Sequence, residues 1–177
     1  MRPLLAAILA LTLSACAGVQ VTDYSDAEPA FILEEFFDGR LTAHGVVQDR
    51  SGRVIRHFNA DIEAYWRDGV GTLEEDFVFD DGEEQRRVWT LTPAGPDRYI
   101  GTAGDVVGEG ELLRAGNSVF LDYVLRIPYG DGTIDVRVDD RMYLVSDTVL
   151  LNESELSKFG VRVGQLLLTI VRHADPA

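Results

Sequence analysis

From residue 41 onward, apolar and polar side chains alternate with a period of two, the spacing of strands that bury one face. The runs fall at 41–48, 53–66, 71–79, 83–92, 97–106, 117–127, 133–145, 148–156 and 160–172. Short turn signals separate them, among them Asp49-Arg50-Ser51-Gly52, Asp68-Gly69, Asp80-Asp81-Gly82, Pro93-Ala94-Gly95-Pro96 and Gly130-Asp131-Gly132. No stretch between runs is long enough for a crossover helix, so consecutive strands are predicted to be antiparallel neighbours. Eight or nine such strands close most simply into an all-β antiparallel up-and-down barrel, which leaves no exposed edge. A two-sheet sandwich is the alternative. Before the strands, Pro29 to Gly39 has its apolar residues on one side and predicts a short two-turn helix that plugs or flanks one end.

The stretch Thr72–Thr92 carries the firmest register. A three-residue loop at Asp80-Asp81-Gly82, with Gly82 left-handed, sets Leu73 opposite Trp89, Glu75 opposite Arg87 and Phe77 opposite Gln85. The other face then pairs Asp76 with Arg86. A two-residue loop would instead send Phe79 and Leu73 to the face opposite Trp89. Upstream, a type I′ turn at Asp68-Gly69 sets Ala64 against Leu73 and Ala60 against Phe77.

Alternation also assigns an inner face. It includes Phe58, Ala60, Ile62, Ala64 and Trp66, then Val119, Leu121, Tyr123, Leu125 and Ile127, then Ile134, Val136, Val138, Met142 and Leu144. Val149 and Leu151 continue it. In phase with these apolar residues stand five ionisable ones: Arg56, Glu75, Arg87, Asp140 and Glu153. A buried charge must be paired, and Glu75 and Arg87 are expected to face each other. A two-residue turn at Ser146-Asp147 would set Asp140 against Glu153, and close carboxylates raise one another's pKa. These charges fit either a head-group site inside the barrel or strand ends that meet water at its rims.

Charge and composition narrow the partners. The 177 residues carry a net charge of -14, so nucleic acid, which needs a basic face, is excluded as an expected partner. Asp61, Glu63, Glu74 and Asp76 form an acidic stripe on the outer face; no calcium-loop spacing accompanies it, and a solvated surface is the expectation. His44, His57 and His173 lie off the inner face without metal-ligand spacing. No Gly-x-Ser-x-Gly marks a nucleophile, and the glycine-rich stretch from Gly101 to Gly110 opens no helix and so is no phosphate loop. No cofactor is implied.

The N-terminus is addressed outward. Arg2 precedes an apolar run, Leu4 to Leu13, too short to span a bilayer at roughly 20 residues per crossing. Leu13-Ser14-Ala15-Cys16 resembles a bacterial lipobox, and Cys16 is the one cysteine. The expected organisation is a signal peptide over 1–15, a lipidated tether over 16–28 and a single β-barrel domain over 29–177. An ordinary secretory signal with an incidental cysteine is the alternative. Ala17 after the cysteine, by resemblance to sorting rules, favours the outer membrane, with the protein on the periplasmic side of the envelope.

Several segments together resemble a known family: Glu34-Glu35-Phe36-Phe37-Asp38-Gly39, Gln48-Asp49-Arg50-Ser51-Gly52, Asp76-Phe77-Val78-Phe79-Asp80-Asp81-Gly82-Glu83, Arg87-Val88-Trp89, Asp105-Val106-Val107-Gly108, Asp139-Asp140-Arg141-Met142-Tyr143-Leu144 and Lys158-Phe159-Gly160-Val161-Arg162-Val163-Gly164. They are similar to the proteobacterial lipoprotein family catalogued as domain of unknown function 3833, with Arg141 standing where the pattern has tryptophan. The resemblance implies a lipidated envelope protein and transfers no catalytic residue. The leading expectation is a lipocalin-like (calycin-like) barrel that binds or carries an amphipathic molecule such as a fatty acid. Arg87, Glu75, Arg56, Trp89, Phe77, Phe79, Tyr123 and Asp140 are its candidate ligand residues. Two alternatives remain: a structural lipoprotein with a filled barrel and a protein partner, or an enzyme using Asp140, Glu153 or Glu75 as acid or base on a bound lipid.

Overall fold

A computed structural model describes residues 18–174. The expected signal peptide and Cys16 lie outside the described residues. Ten strands, not eight or nine, close an antiparallel up-and-down barrel in ring order β1-β10-β9-β8-β7-β6-β5-β4-β3-β2. They are β1 (Gly39–Asp49), β2 (Val54–Arg67), β3 (Val70–Phe79), β4 (Glu84–Gly95), β5 (Arg98–Thr102), β6 (Gly110–Ala115), β7 (Ser118–Tyr129), β8 (Gly132–Ser146), β9 (Val149–Lys158) and β10 (Val161–Arg172). The additional strand is β6. The predicted run 97–106 ends early at Thr102, and the short segment Gly110–Ala115 forms a strand of its own.

The hairpin registers follow from the turns. Leu73–Trp89, Glu75–Arg87, Phe77–Gln85 and Asp76–Arg86 are opposed, as the three-residue loop requires, with Gly82 at φ +83. Ala64–Leu73 and Ala60–Phe77 follow from the turn at Asp68-Gly69, whose φ angles are both positive. One register differs from expectation. The β8–β9 turn sits at Asp147-Thr148, and the ladder shifts between Leu144 and Ser146. Asp140 therefore opposes Ser154, and Glu153 opposes Arg141. A one-residue slip exchanges faces: Leu150, Asn152 and Ser154 point inward and are buried, while Leu151 and Glu153 are exposed.

One end of the barrel is plugged. The predicted two-turn helix is a single turn, α1 (Leu33–Phe36). Phe31, Leu33, Phe36 and Phe37 are all buried, and Phe31 and Leu33 show no exposed surface. Polar contacts fix this plug. The Phe31 amide donates to Gly116 O (2.8 Å), Trp66 Nε1 donates to Phe37 O (2.9 Å), and the Tyr99 hydroxyl donates to Glu34 Oε1 (2.6 Å). Residues 18–28 are not the free tether expected from sequence. Val21 is buried within a 3-10 turn (Val21–Tyr24), and the Tyr24 ring packs edge-on against Phe120 and Tyr143 on the outer wall.

Above the plug the lumen is packed with apolar side chains, including Leu41, Leu73, Leu91, Leu112, Val119, Leu144 and Leu150. Towards the other end the inward side chains Phe77, Leu125, Ile127, Ile134, Leu156 and Leu168 remain only half-buried. The wall there is also irregular. Pairing of β4 with β5 begins only at Thr90–Thr102, so the first half of β4 has no β5 beside it. The loop 103–109 fills that place by leaning on β7, through a Val106–Leu125 bridge and a Val107 amide bonded to Val124 O (2.8 Å).

Candidate functional site

At mid-height, where the packed and half-buried regions of the lumen meet, the chain places a belt of polar groups. Alternation on β3 and β4 aims Glu75 and Arg87 inward, and the register sets them face to face. The carboxylate and guanidinium do not close on each other: Arg87 Nη1 lies 3.9 Å from Glu75 Oε2. Arg87 is instead held by Asp105, whose loop brings it in across the gap beside β4. Arg87 Nε donates to Oδ1 (3.1 Å) and Oδ2 (3.0 Å), and Nη2 donates to Oδ2 (2.6 Å). This bidentate pair ties the 103–109 loop to β4 and closes the wall. The Arg87 guanidinium also lies 5.6 Å from the centre of the Phe77 ring.

Glu75 is left without a hydrogen-bond donor among the described residues, although its side chain is only 12% exposed. Burial pushes its pKa up to about 7, against the opposing pull of Arg87, and the nearby Asp105 and Asp140 push in the same direction as burial. Asp140, from β8, is raised to about 6, again chiefly by burial; hydrogen bonds from Asn152 Nδ2 and from Ser154 Oγ (2.8 Å) restrain the shift. It has no carboxylate partner in Glu153, which faces outward. Tyr123 packs edge-on against Trp89 with ring centres 5.4 Å apart, and burial raises its phenol. The belt thus gathers Glu75, Asp105, Asp140 and Tyr123 around one guanidinium.

The remaining expected residues sit higher. Phe77 and Phe79 stack near Phe58 on the inner face. Arg56 lies near the mouth, 3.6 Å above the Phe79 ring, where Nη2 donates to Asp81 (2.8 Å) and Glu83 (2.6 Å) of the β3–β4 turn. Its Nε is buried with no hydrogen-bond partner in the described residues. Trp89, Tyr123, Glu75, Arg87 and Asp140 meet at the belt; Arg56, Phe77 and Phe79 line the wall above it. Sequence reasoning missed Asp105, Asn152 and Ser154. Asp105 falls within the predicted run 97–106, but β5 ends at Thr102 and leaves it in a loop, and the expected β9 register turns the other two outward.

The outer acidic stripe forms as aligned, with Asp61 opposite Asp76 and Glu63 opposite Glu74. It borders an open groove of about 470 Å³. Arg86 bridges Asp76 and Glu74, and the Tyr65 hydroxyl donates to Glu74 (2.9 Å). No three His, Cys, Asp or Glu side chains among the described residues are placed to hold a metal ion. The histidines lie on the outer wall: the His44 ring is hydrogen-bonded to Asn59 and the His173 ring to Thr42, and His57 Nδ1 lies 3.2 Å from Asp80 Oδ2.

The family model described as protein of unknown function (DUF3833) matches residues 10–172. The chain belongs to that family. No curated protein matches the chain in sequence. Among solved structures, an S-type phycobiliprotein lyase from Guillardia theta matches with a TM-score of 0.59 at 13% identity, covering 89% of this chain and 100% of that one. EF1p2_mFAP2b, bound to DFHBI, reaches 0.44 at 10% identity over 78% and 94%. The lyase likeness is one of fold: the family member described here is a barrel of the lipocalin-like kind.

Proposed function

We propose that the protein is a lipid-anchored component of the bacterial envelope, held at the outer membrane through Cys16 on the periplasmic side, and that its barrel binds a small amphipathic molecule. The observation that carries the reading is Glu75: a residue 9% exposed, with no hydrogen-bond donor among the described residues, facing a lumen whose upper side chains are incompletely covered. A hydrogen bond to a charged group contributes about 1.5–3 kcal/mol, and a ligand group that donates to Glu75 in place of its remaining solvent contact gains a bond of that kind.

The belt also selects the polar end of the ligand. Arg87 spends Nε and Nη2 on Asp105, leaving Nη1 beside the Glu75 oxygen at 3.9 Å. A donor and an acceptor side by side suit a hydroxyl or an amide, which can accept from Nη1 and donate to Glu75. A fatty-acid carboxylate would meet Glu75, Asp105 and Asp140 with one already engaged guanidinium to oppose them. The apolar part of the ligand would lie along Phe77, Leu125, Ile127, Ile134 and Leu156.

Every described strand and the plug lie within residues 18–174, so the chain from Gly18 carries the described fold. Native mass spectrometry of that chain with a monoacylglycerol, a long-chain alcohol and the corresponding fatty acid tests the reading. Bound hydroxyl lipid, with the fatty acid weaker and Glu75→Leu reducing binding at least about tenfold, is expected, since one charge-assisted hydrogen bond contributes about 1.5–3 kcal/mol. Binding by none of them would favour a filled structural barrel. For the anchor, Cys16→Ser should make attachment of the full chain to membranes sensitive to 0.5 M salt or leave it as a precursor, and salt-resistant attachment of a signal-free variant would overturn it.

A further inference from the structure

Two hairpin tips at the open end differ from the rest of the surface. The β1–β2 tip (49–55) and the β9–β10 tip (157–163) meet because β1 and β10 pair, with Asp49 opposite Gly164. Together they hold Arg50, Arg53, Lys158 and Arg162 against a single acid, Asp49, a net of +3 (four minus one) in a chain of net -14. Their apolar side chains are turned out to solvent: Phe159 is 93% exposed, Val161 63%, Ile55 57%, Val54 49% and Val163 42%. The β3–β4 tip on the same rim carries Asp80, Asp81, Glu83 and Glu84 instead.

Phe159 adds a second, independent sign. It occupies the first position of a two-residue turn, Phe159-Gly160, at φ +52 and +74. The β2–β3 turn Asp68-Gly69 has almost the same geometry, φ +52 and +79. Aspartate tolerates that left-handed conformation; a bulky aromatic residue there is a genuine outlier. Nothing among the described residues compensates by burying the ring, which is 93% exposed and has Lys158 Nζ 5.0 Å from its centroid. Strain of this kind points outward, to something the free chain does not supply.

We propose that this sector of the rim docks on an anionic lipid bilayer. Phe159, Val161 and Ile55 enter the boundary between head groups and acyl chains, and Arg50, Arg53, Lys158 and Arg162 meet lipid phosphates. Phe159 and Lys158 border an open groove shared with Asp135 and Arg137, while Arg50, Arg53, Ile55, Val161 and Arg162 stand outside it on the two tips, a spread that suits a fluid surface better than a folded partner. The acidic remainder of the chain is repelled by the same bilayer, so the field orients this sector towards it. The proposal needs no ligand in the lumen and stands apart from the reading above.

The test is co-sedimentation of the chain from Gly18, which lacks any acyl anchor, with vesicles of mixed phosphatidylglycerol and phosphatidylethanolamine or of phosphatidylcholine alone. Anionic vesicles should bind at least tenfold better, and 0.5 M salt should remove most of that preference. Phe159→Glu and Arg162→Glu should each weaken binding severalfold, while Val78→Glu, on the outer wall of β3, should leave it unchanged. Phe159→Asn separates docking from folding: it should raise the urea midpoint and still weaken vesicle binding. Equal or absent binding of the parent to both vesicle types, or undiminished binding of Phe159→Glu, would overturn the proposal. Capture of a protein through these tips without vesicle binding would do the same.

Discussion

Replacing Glu75 with glutamine should stabilise the protein, and should do so only above mildly acidic pH. The carboxyl pKa is raised from 4.5 to about 7 in the fold. A raised acid pKa means the folded state binds the proton more tightly than the unfolded chain, so stability is greatest at low pH and falls as pH rises from about 4.5 to about 7. A shift near 2.5 units, at 1.36 kcal/mol each, makes the ionised Glu75 cost about 3 kcal/mol at pH 8 and under about 1 kcal/mol at pH 5. Glutamine keeps the shape and removes the titration. Asp140, raised to about 6 chiefly by burial, lowers stability over an overlapping window; the burial is common to both proteins and cancels, while its repulsion with Glu75 adds to the difference in the same direction. Urea unfolding of the parent and Glu75→Gln from pH 5 to 8.5 reads the difference directly. A gap that stays constant with pH, or a variant less stable than the parent at pH 8, would refute the reasoning. A gain of that size, out of a typical 5–15 kcal/mol, would mark Glu75 as a residue kept at the expense of stability.

Three further expectations follow from contacts. A double-mutant cycle of Arg87→Met with Asp105→Asn should give a coupling of at least about 1 kcal/mol, larger than the cycle of Arg87→Met with Glu75→Gln, because Asp105 and not Glu75 is within hydrogen-bond reach; equal couplings would contradict the bidentate pair. Gly45→Ala should cost about 1–3 kcal/mol in chemical denaturation, since the new Cβ would lie 2.4 Å from the Phe58 ring, and Phe58→Leu should recover part of the loss. Trp66→Phe should cost about 1 kcal/mol by removing the hydrogen bond to Phe37 O and should speed amide exchange in the plug; unchanged exchange would show that the plug is held without it.

How much was legible depended on what fixes each register. Between Ala60 and Trp89 two glycine turns of defined length determine the pairing, and a slip would expose Leu73 and Phe79, so the sequence admits one answer there. On β9 the two candidate faces are nearly balanced: Val149, Leu151 and Glu153 against Leu150, Asn152 and Ser154. Neither set is plainly apolar, and the turn gives no glycine to locate it. The shift between Leu144 and Ser146 then decides, and a shift of this kind leaves no periodic trace. The same reason hid Asp105. It reaches Arg87 from an irregular loop that replaces a missing stretch of β5, a long-range arrangement that no local pattern encodes. The inner apolar faces of β2, β7 and β8 were legible throughout because alternation there is unbroken.

The two ends of the barrel have different tasks written into them, and their placement constrains each other. Tyr24 O and Ala27 O pack on Gly116, at the tip of the β6–β7 hairpin on the plugged end. The patch with Phe159 lies at the mouth, on the seam between β10 and β1. In a ring of ten strands β6 stands five places from β1, so the docked N-terminal segment and the patch occupy opposite ends and opposite sides. Val21 is buried, and the five residue steps from Cys16 to Val21 span at most about 17 Å. Strands of the length of β8, 15 residues, extend roughly 50 Å along their own path. An acyl anchor at Cys16, as proposed, would therefore hold the plugged end near its leaflet and leave the mouth pointing away from it. A rim that seeks lipid on that far side then has its use at a second bilayer surface, and the polar belt, set midway, is reached from the side the anchor does not face.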